Sequence, residues 1–293
     1  MHRPLFFIGS SPSMASKIIN PDCPAAGVMV SMNALRKRHS NFEVSNWILD
    51  SGAFTEVARY GGYRYGVDEY HRKICKWAKC GNLLIAVAQD WMCEPFALHR
   101  TGLTTEQHHK LTIKRYDQLM KLVPPVPIMP VIQGYRVSEY LAHLYMYQGR
   151  LAPGAWVGVG SVCRRNGKPD EVLDILASIK QIRSDLRLHG FGLKQLALEN
   201  KEVRSHLYSC DSMAWSVPRR FFNQTPELEL AHQYQEKIMK SLSDNVHKRV
   251  PPTAGAGNGQ GRKAKWNRPT KAIRIPAEFA DELIEIAKAW DNQ

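Results

Sequence analysis

The stretch WILDSGAF at residues 47–54 joins a short apolar run to an aspartate, a serine and a glycine. The same arrangement recurs along the chain. Runs rich in Val, Ile, Leu and Phe end in polar or glycine-bearing segments, and amphipathic stretches separate them. Near-continuous hydrophobicity is typical of parallel strands that are covered on both faces. Their alternation with helical stretches predicts βαβ units and an α/β fold.

Seven segments carry the strand pattern. They are residues 5–9, 47–49, 83–88, 128–132, 156–159, 188–192 and, more weakly, 207–209. Helices are predicted over residues 67–79, 105–122, 137–148, 170–183 and 226–242. Seven or so such units in about 220 residues favour a (β/α)8 TIM-like barrel over an open sheet, although periodicity alone does not decide closure.

Three regions are predicted along the chain. Residues 1–243 form the barrel, and residues 244–271 form a flexible basic linker that is rich in proline and glycine before it becomes rich in lysine and arginine. Residues 272–293 form a small strand–helix tail. This basic appendage is similar to half of a ribbon-helix-helix module, in which paired strands enter a DNA groove.

The charge of the chain favours a polyanionic partner. Its 40 Lys and Arg residues against 27 Asp and Glu residues give a formal net charge of +13. Basic surface gains affinity for nucleic acid because binding releases counterions from the phosphates. A solvated surface that serves solubility is the alternative. No secretory segment opens the chain and no apolar run approaches the roughly 18 residues of a membrane span, so a cytoplasmic protein is predicted.

The cysteines give no sign of a metal site. Six of them are scattered through the chain without a Cys-x-x-Cys pair, which favours reduced thiols. Glu106, His108 and His109 lie close together in sequence, but such a group flanked by helix-forming residues usually forms a polar helix face. We therefore predict neither a metal nor another cofactor.

Polar residues and glycines follow the predicted strands, where barrel enzymes place their chemistry. The segments are DSGAF at 50–54, Asp90, VIQG at 131–134, GVGS at 158–161, HGFG at 189–192 and CDSMAW at 210–215. Taken singly, each has an ordinary structural interpretation, because an aspartate after a strand often caps a helix and Gly-x-Gly usually forms a turn. Together they predict a ring of carboxylates, amides and glycines around one barrel mouth.

This ordered set resembles the tRNA-guanine transglycosylase superfamily over about residues 5–220, with DSGAF and CDSMAW as the discriminating pair. Breaking an N-glycosidic bond develops positive charge at C1′ of the sugar, and a carboxylate facing that carbon can trap it covalently. By match to the family's segments, the resemblance implies that Asp211 is the nucleophile and Asp50 the general acid/base. The residues implied to bind the base are Ser51, Phe54, Asp90, Gln133, Gly134, Gly158, Gly160 and Trp215.

For two groups of candidate residues, a second structural interpretation stays open. Phe54 and Trp215 suit stacking on a flat base, but each suits the core equally well. Arg164, Arg165, Arg219 and Arg220 follow site segments and suit contacts with phosphates, with exposed loop arginines as the alternative.

The chain also departs from the family's usual pattern. No cysteine follows Cys210, so the usual zinc-binding segment is absent, and the late segment continues as WSVPRRF at 215–221. The chain is most similar to the compact DpdA-type branch, which inserts 7-deazaguanine bases into DNA. This implies a pentosyltransferase that exchanges guanine in DNA for a 7-deazapurine such as preQ0, through a covalent aspartyl intermediate.

Three alternatives stay open from the sequence. The first is the same exchange on tRNA, of the queuosine or archaeosine type. The second is a non-catalytic barrel that binds nucleic acid, and the third is a barrel hydrolase that acts on free nucleosides. Besides DNA and the free base, a homodimer and a partner ATPase are possible partners.

Overall fold

The structure, a computed structural model, describes residues 3–165, 167–216 and 226–243. The predictions for the linker and the tail, and those for Arg219 and Arg220, lie outside the described residues. The division of the chain into three regions stays a prediction.

Within the described residues, nine parallel strands form one sheet. They are β1 (Leu5–Ser10), β2 (Gly27–Ser31), β3 (Asn46–Asp50), β4 (Asn82–Val87), β5 (Ile128–Met129), β6 (Val131–Ile132), β7 (Trp156–Val159), β8 (Arg187–Gly190) and β9 (Leu207–Ser212). The order across the sheet is β5-β4-β3-β2-β1-β9-β8-β7-β6. Because β5 and β6 are consecutive in the chain, the two ends of this order meet and the sheet forms a nearly closed barrel.

Pro130 lies at the seam, between β5 and β6. It has no amide hydrogen to donate to a neighbouring strand, but its carbonyl oxygen accepts a hydrogen bond of 2.9 Å from the amide of Gly158. The two short strands therefore occupy one position of the barrel. Counted this way, the sheet has the eight positions of a (β/α)8 barrel, which confirms the predicted fold class.

Helices lie between most of the consecutive strands, and another follows β9. They are α1 (Met32–Leu35), α2 (Ala53–Tyr60), α3 (Val67–Trp77), α4 (Pro95–Thr101), α5 (Thr105–Lys121), α6 (Val137–Tyr147), α7 (Pro169–Ile182), α8 (Gln195–Glu199), α9 (Lys201–His206) and α10 (Glu227–Leu242). Local sequence fixes some of their ends. Thr104 and Gln107 form a capping box at the start of α5, and Pro169 begins α7.

Alternate residues of the strands face two separate apolar layers. Phe7, Met29 and Ile48 belong to a small cluster inside the barrel, whereas Ile8, Val28 and other residues belong to the larger core between strands and helices. All of these side chains are buried. Residues at the carboxyl ends of the strands are thereby placed around one mouth.

One strand was not predicted from the sequence. The segment GVMVS that forms β2 is only five residues long and begins with glycine, which weakens the strand signal. Gly27 is needed there because a Cβ atom would lie 2.4 Å from the carbonyl oxygen of Asn46 on the neighbouring strand. The weak prediction at residues 207–209 is a full strand, and it extends to Ser212.

Candidate active site

A cavity of about 490 Å³ lies at the carboxyl ends of the strands. Small-molecule sites commonly have volumes of about 300–1,000 Å³. The polar side chains that line it come from the ends of seven strands and the loops that follow them, and they include Ser10, Ser31, Asp50, Asp90, Gln133, Ser161 and Asp211. The structure therefore brings Asp50 and Asp211 into the same cavity, although they are encoded far apart.

Asp50 ends β3 and is held by the tight turn that follows it. One of its carboxylate oxygens accepts a hydrogen bond of 3.1 Å from the amide of Gly52. Gly52 has a φ of +79°, and a Cβ atom there would lie 2.3 Å from the side-chain nitrogen of Asn33, so only glycine fits this turn. Burial raises the pKa of Asp50 to about 6; a hydrogen bond from Ser31 opposes that rise, and the nearby charge of Asp211 adds to it.

Asp211 lies near the end of β9 and is also fixed through one oxygen. Its Oδ1 accepts a hydrogen bond of 2.9 Å from the amide of Gly192 and lies 3.2 Å from Nε2 of His189. The Asp211 side chain keeps 14% of its surface exposed. Within the described parts of the chain, no hydrogen bond to its Oδ2 is formed. That oxygen is therefore available to a ligand.

A buried relay supports Asp211 from behind. Ser209 and His189 are paired across β9 and β8, and the serine Oγ lies 2.8 Å from Nδ1 of the histidine and 2.7 Å from Nε1 of Trp156. The carboxylate of Asp211 only accepts, so the hydrogen between it and His189 lies on Nε2. With Nδ1 then as the acceptor, the Ser209 hydroxyl donates to Nδ1, and its oxygen accepts from Nε1 of Trp156. The sequence placed His189 in the HGFG segment but indicated no role for it.

Asp90 lies at the centre of a second network. Its Oδ1 accepts a 3.2 Å hydrogen bond from Ser51, and its Oδ2 accepts one from Nε2 of Gln133. The Gln133 oxygen in turn accepts a 2.9 Å hydrogen bond from Ser161. Asp90 is only 5% exposed, and this burial raises its pKa to about 7 against the hydrogen bond from Gln133, while the charge of Asp50 adds to the rise.

The three glycines singled out from the sequence take different places. Gly160 lines the cavity, and a Cβ atom there would lie 2.2 Å from Nε2 of Gln133, so glycine makes room for that amide. Gly158 lies under the ring of Phe191, and Gly134 lies against α6, where a Cβ atom would be 2.7 Å from the amide of Tyr140. Neither of these two is part of the cavity wall.

The two aromatic candidates separate. Trp215 is buried in the core, where its Nε1 donates a 2.8 Å hydrogen bond to the carbonyl oxygen of Gly9, and it does not line the cavity. Of the two interpretations of Trp215, packing in the core and stacking on a base, the structure shows packing in the core. Phe54 lines the cavity and is 54% exposed.

The two described arginine candidates separate in the same way. Arg165 is buried, and its guanidinium group donates to the carbonyl oxygens of Ser161 and Tyr135 and pairs with Glu171 at 3.4 Å. It therefore fixes the loop after β7 instead of facing outward for a phosphate. Arg164 is exposed and lies against the ring of Phe54 at 5.4 Å.

Glu94 is a further acidic residue of the cavity wall that the sequence did not indicate. It is buried, and burial raises its pKa, which the charges of Arg164 and Arg165 oppose. Glu94 lies in the loop after β4, four residues beyond Asp90. Considering only the polar residues that directly follow a predicted strand therefore identifies Asp90 but not Glu94.

No group of three or more His, Cys, Asp and Glu side chains in residues 3–165, 167–216 and 226–243 is arranged to hold a metal ion. In the same part of the chain, no helix has the length and apolar character needed to cross a bilayer.

Comparison with known proteins gives one family. The sequence model of DpdA, described as DeoxyPurine in DNA protein A, matches residues 23–246, which is more than half of the chain. No curated protein matches. Among solved structures, the carboxyl transferase domain of Rhizobium etli pyruvate carboxylase with 3-hydroxypyruvate is similar at 11% identity, with a TM-score of 0.36 over 67% of this chain and 33% of that chain. This chain thus spans about a third of the length of that relative.

Proposed function

The chain belongs to the DeoxyPurine in DNA protein A family, and from that membership we propose that it exchanges guanine in DNA for a 7-deazapurine base such as preQ0. The observation that carries the proposal is the presence of Asp50 and Asp211 in one cavity, beside the Asp90–Gln133 pair. A cavity of about 490 Å³ has room for a purine and its sugar.

The first displacement removes guanine from the DNA. Oδ2 of Asp211 attacks C1′ of the target nucleotide while the bond between C1′ and N9 breaks, and its electron pair goes to the departing base. Asp50 gives its proton to that base. A pKa of about 6 suits this task, because a fraction of the carboxyl groups keeps its proton near neutral pH and the ionised form serves the return step. The product is a covalent ester between Asp211 and the sugar.

The second displacement inserts the new base. Asp50, now ionised, takes the proton from N9 of the incoming 7-deazapurine, and N9 attacks C1′ while the bond to the Asp211 oxygen breaks. Both carboxylates return to their starting states. The two inversions at C1′ give net retention of configuration, as in retaining glycosidases, and the exchange balances without oxidation or hydrolysis.

The Asp90–Gln133 side supports recognition of the base. Ionised Asp90 can accept hydrogen bonds from the ring N–H and the amino group of guanine, and a 7-deazaguanine base carries the same two donors. The Gln133 amide is held by Asp90 and Ser161, so the recognition group is fixed before the base arrives. One site can therefore hold the departing and the incoming base in turn.

The test is an exchange assay with labelled guanine on duplex DNA and, in parallel, on tRNA. We expect label to enter DNA, and we expect denaturing gels and mass spectrometry to detect a protein–DNA adduct when the free base is left out. Asp211→Asn should abolish both the exchange and the adduct, while binding of DNA persists.

Each competing function gives a different result in that assay. Incorporation of the labelled guanine into tRNA alone would mean that the substrate is tRNA and not DNA. Binding of DNA with no exchange by the unaltered protein would favour a non-catalytic barrel, and turnover of free guanosine would favour a nucleoside hydrolase. The identity of the deazapurine, the cytoplasmic location, a homodimer and a partner ATPase stay predictions.

A further inference from the structure

Three side chains form an exposed cluster at the rim of the cavity, which we call the mouth cluster: Phe54, Phe96 and Arg164. The centres of the two phenylalanine rings are 6.2 Å apart. The guanidinium carbon of Arg164 lies 5.4 Å from the centre of the Phe54 ring and 5.0 Å from that of the Phe96 ring. A cation within about 6 Å of an aromatic face is attracted to it, so the three side chains hold one another in place.

The mouth cluster is open to solvent although two of its members are aromatic. Phe54 is 54% exposed and Phe96 is 39% exposed, and Arg164 is exposed as well. Both rings lie in the first turns of their helices, α2 and α4, which begin beside the cavity. Exposed aromatic rings next to a cavity commonly mark a binding surface.

We infer that the mouth cluster stacks on the nucleobase that neighbours the target nucleotide and keeps the DNA open while the target lies in the cavity. This inference rests on the proposed function. A base inside a duplex must be turned out of the helix before its C1′ can be reached, which breaks its pairing and stacking. Proteins that open or kink DNA often insert apolar side chains at the disrupted step.

The position of the cluster selects this occupant. Phe54 follows Asp50 by four residues and lines the same cavity, so a strand whose target sugar reaches Asp50 and Asp211 must pass the mouth cluster with its next nucleotide. Aromatic faces stack on any base, and a neighbouring arginine suits both the base and its phosphate. A contact with the base next to the target has to accept any base in this way.

The size and composition of the cluster argue against a protein partner. Stable protein interfaces bury about 800 Å² on each partner and use some 20–30 residues. The mouth cluster has three side chains, and it lies beside an opening that must stay accessible to the substrate. A flat, uncharged ring with a phosphate beside it matches the two aromatic faces and the cation.

The test uses Phe96, which does not line the cavity, and Tyr145 as a matched control. Tyr145 is an aromatic residue on α6 that is 63% exposed and also lies outside the cavity wall. The substrates are duplex oligonucleotides with 2-aminopurine next to the target guanine in the same strand. The target guanine itself lies opposite either cytosine or an abasic site. Exchange of labelled guanine and the fluorescence of 2-aminopurine are measured for Phe96→Ala, Phe96→Trp and Tyr145→Ala.

We expect Phe96→Ala to slow exchange about 10-fold on the paired duplex, and less on the duplex with the abasic site, where extrusion is easier. It should also reduce the fluorescence change on binding, whereas Phe96→Trp restores both signals and Tyr145→Ala alters neither. Equal losses on the two duplexes, or equal behaviour of Phe96→Ala and Tyr145→Ala, would overturn the inference. If the unaltered protein exchanges no base in DNA, the proposed function fails, and the fluorescence comparison still decides whether the mouth cluster contacts a base.

Discussion

The carboxylates of the cavity are held in two different ways, which we call its recognition side (Asp90 with Gln133) and its catalytic side (Asp50 and Asp211). These names refer to the proposed tasks and not to position, because Asp50 ends β3 and Asp90 follows the neighbouring strand β4. On the Asp90 side, the carboxylate, the Gln133 amide and the Ser51 and Ser161 hydroxyls bond to one another, and Asp90 is buried. On the side of Asp50 and Asp211, each carboxylate accepts a hydrogen bond from a backbone amide and borders the open cavity.

This difference matches the two tasks that we assign to the cavity. In the proposed exchange, Asp90 and Gln133 would contact an edge that is the same in the departing and the incoming base, so a fixed set of partners serves both. In the same proposal, Asp50 would exchange a proton and Asp211 a covalent bond within each cycle, so each needs an oxygen that the ligand can reach. Each task can be tested by weakening one side and measuring the other.

The largest effect is expected from Asp50→Asn, which removes proton transfer from the catalytic side. We expect the exchange rate to fall by about two to four orders of magnitude, because a positioned acid or base contributes about that much. Binding of DNA and of the free base should change little. Rates of single turnovers measure this loss, and a loss under about 3-fold would remove Asp50 from the mechanism.

The pH dependence of the unaltered protein sharpens the same point. Release of guanine needs protonated Asp50 and should slow as the pH rises through about 6, whereas capture of the new base needs ionised Asp50 and should slow as the pH falls through about 6. The two half-reactions, measured separately, should therefore show opposite slopes. Asp50→Asn should flatten both.

A smaller effect is expected from breaking the relay behind Asp211. His189→Leu removes a donor to the carboxylate, and hydrogen bonds to charged groups contribute about 1.5–3 kcal/mol, so we expect kcat to fall about 10- to 100-fold. The KM for the free base should stay the same, because the recognition side is untouched. His189→Gln keeps an N–H group and should recover part of kcat; equal losses in both variants would reduce His189 to a packing role.

On the recognition side, Gly160→Ala is the sharpest change. Its new Cβ atom would lie 2.2 Å from Nε2 of Gln133, so the amide must move away from its place beside Asp90. We expect the KM for the free base to rise about 10-fold, the value of one lost hydrogen bond in a buried site, with kcat at saturating base nearly unchanged. Gly149→Ala meets no atom within 4 Å and serves as the control.

The smallest effect concerns stability. The folded-state pKa of Asp90, about 7, lies above the unfolded value of about 3.9, so the folded protein holds this proton more tightly. Ionisation of Asp90 therefore costs stability as the pH rises from about 4 to about 7. Asp90→Asn removes that cost.

Thermal unfolding of Asp90→Asn and of the unaltered protein should be compared at pH 4.5 and pH 8. We expect the variant to gain about 1 kcal/mol, or about 2–4 °C in Tm, at pH 8 and to lose most of this advantage at pH 4.5. Its exchange activity should nevertheless fall, since the recognition carboxylate is gone. A gain of equal size at both pH values would mean that ionisation of Asp90 is not its cause.

Much of the fold follows from the sequence because its periodic patterns are strong. Helix α5, predicted at residues 105–122, is observed at Thr105–Lys121, and the strand predicted at residues 156–159 is confirmed as β7. The strand predicted at residues 128–132 is interrupted by Pro130, and β2 was missed because its five residues begin with glycine. These deviations lie where a proline or a glycine weakens the local signal.

The candidate site was less evenly predictable. Asp50 and Asp211 were found because the ends of parallel strands meet, which is a property of the fold class. The burial of Trp215 and Arg165 depends on contacts with Gly9 and the loop after β7, which no local pattern encodes. The part played by His189 depends on its pairing with Ser209 across two strands, so it needs the register of β8 and β9.

The position of β1 between β2 and β9 has a consequence for synthesis on the ribosome. Strand β1 emerges long before β9, its partner in the barrel, so the nascent chain cannot close the barrel until residues 207–212 have left the exit tunnel. Those residues carry Asp211, and closure and the proposed nucleophile therefore arrive together. A product truncated before this strand would lack both, so incomplete translation should not release an enzyme that attacks DNA without being able to finish the exchange.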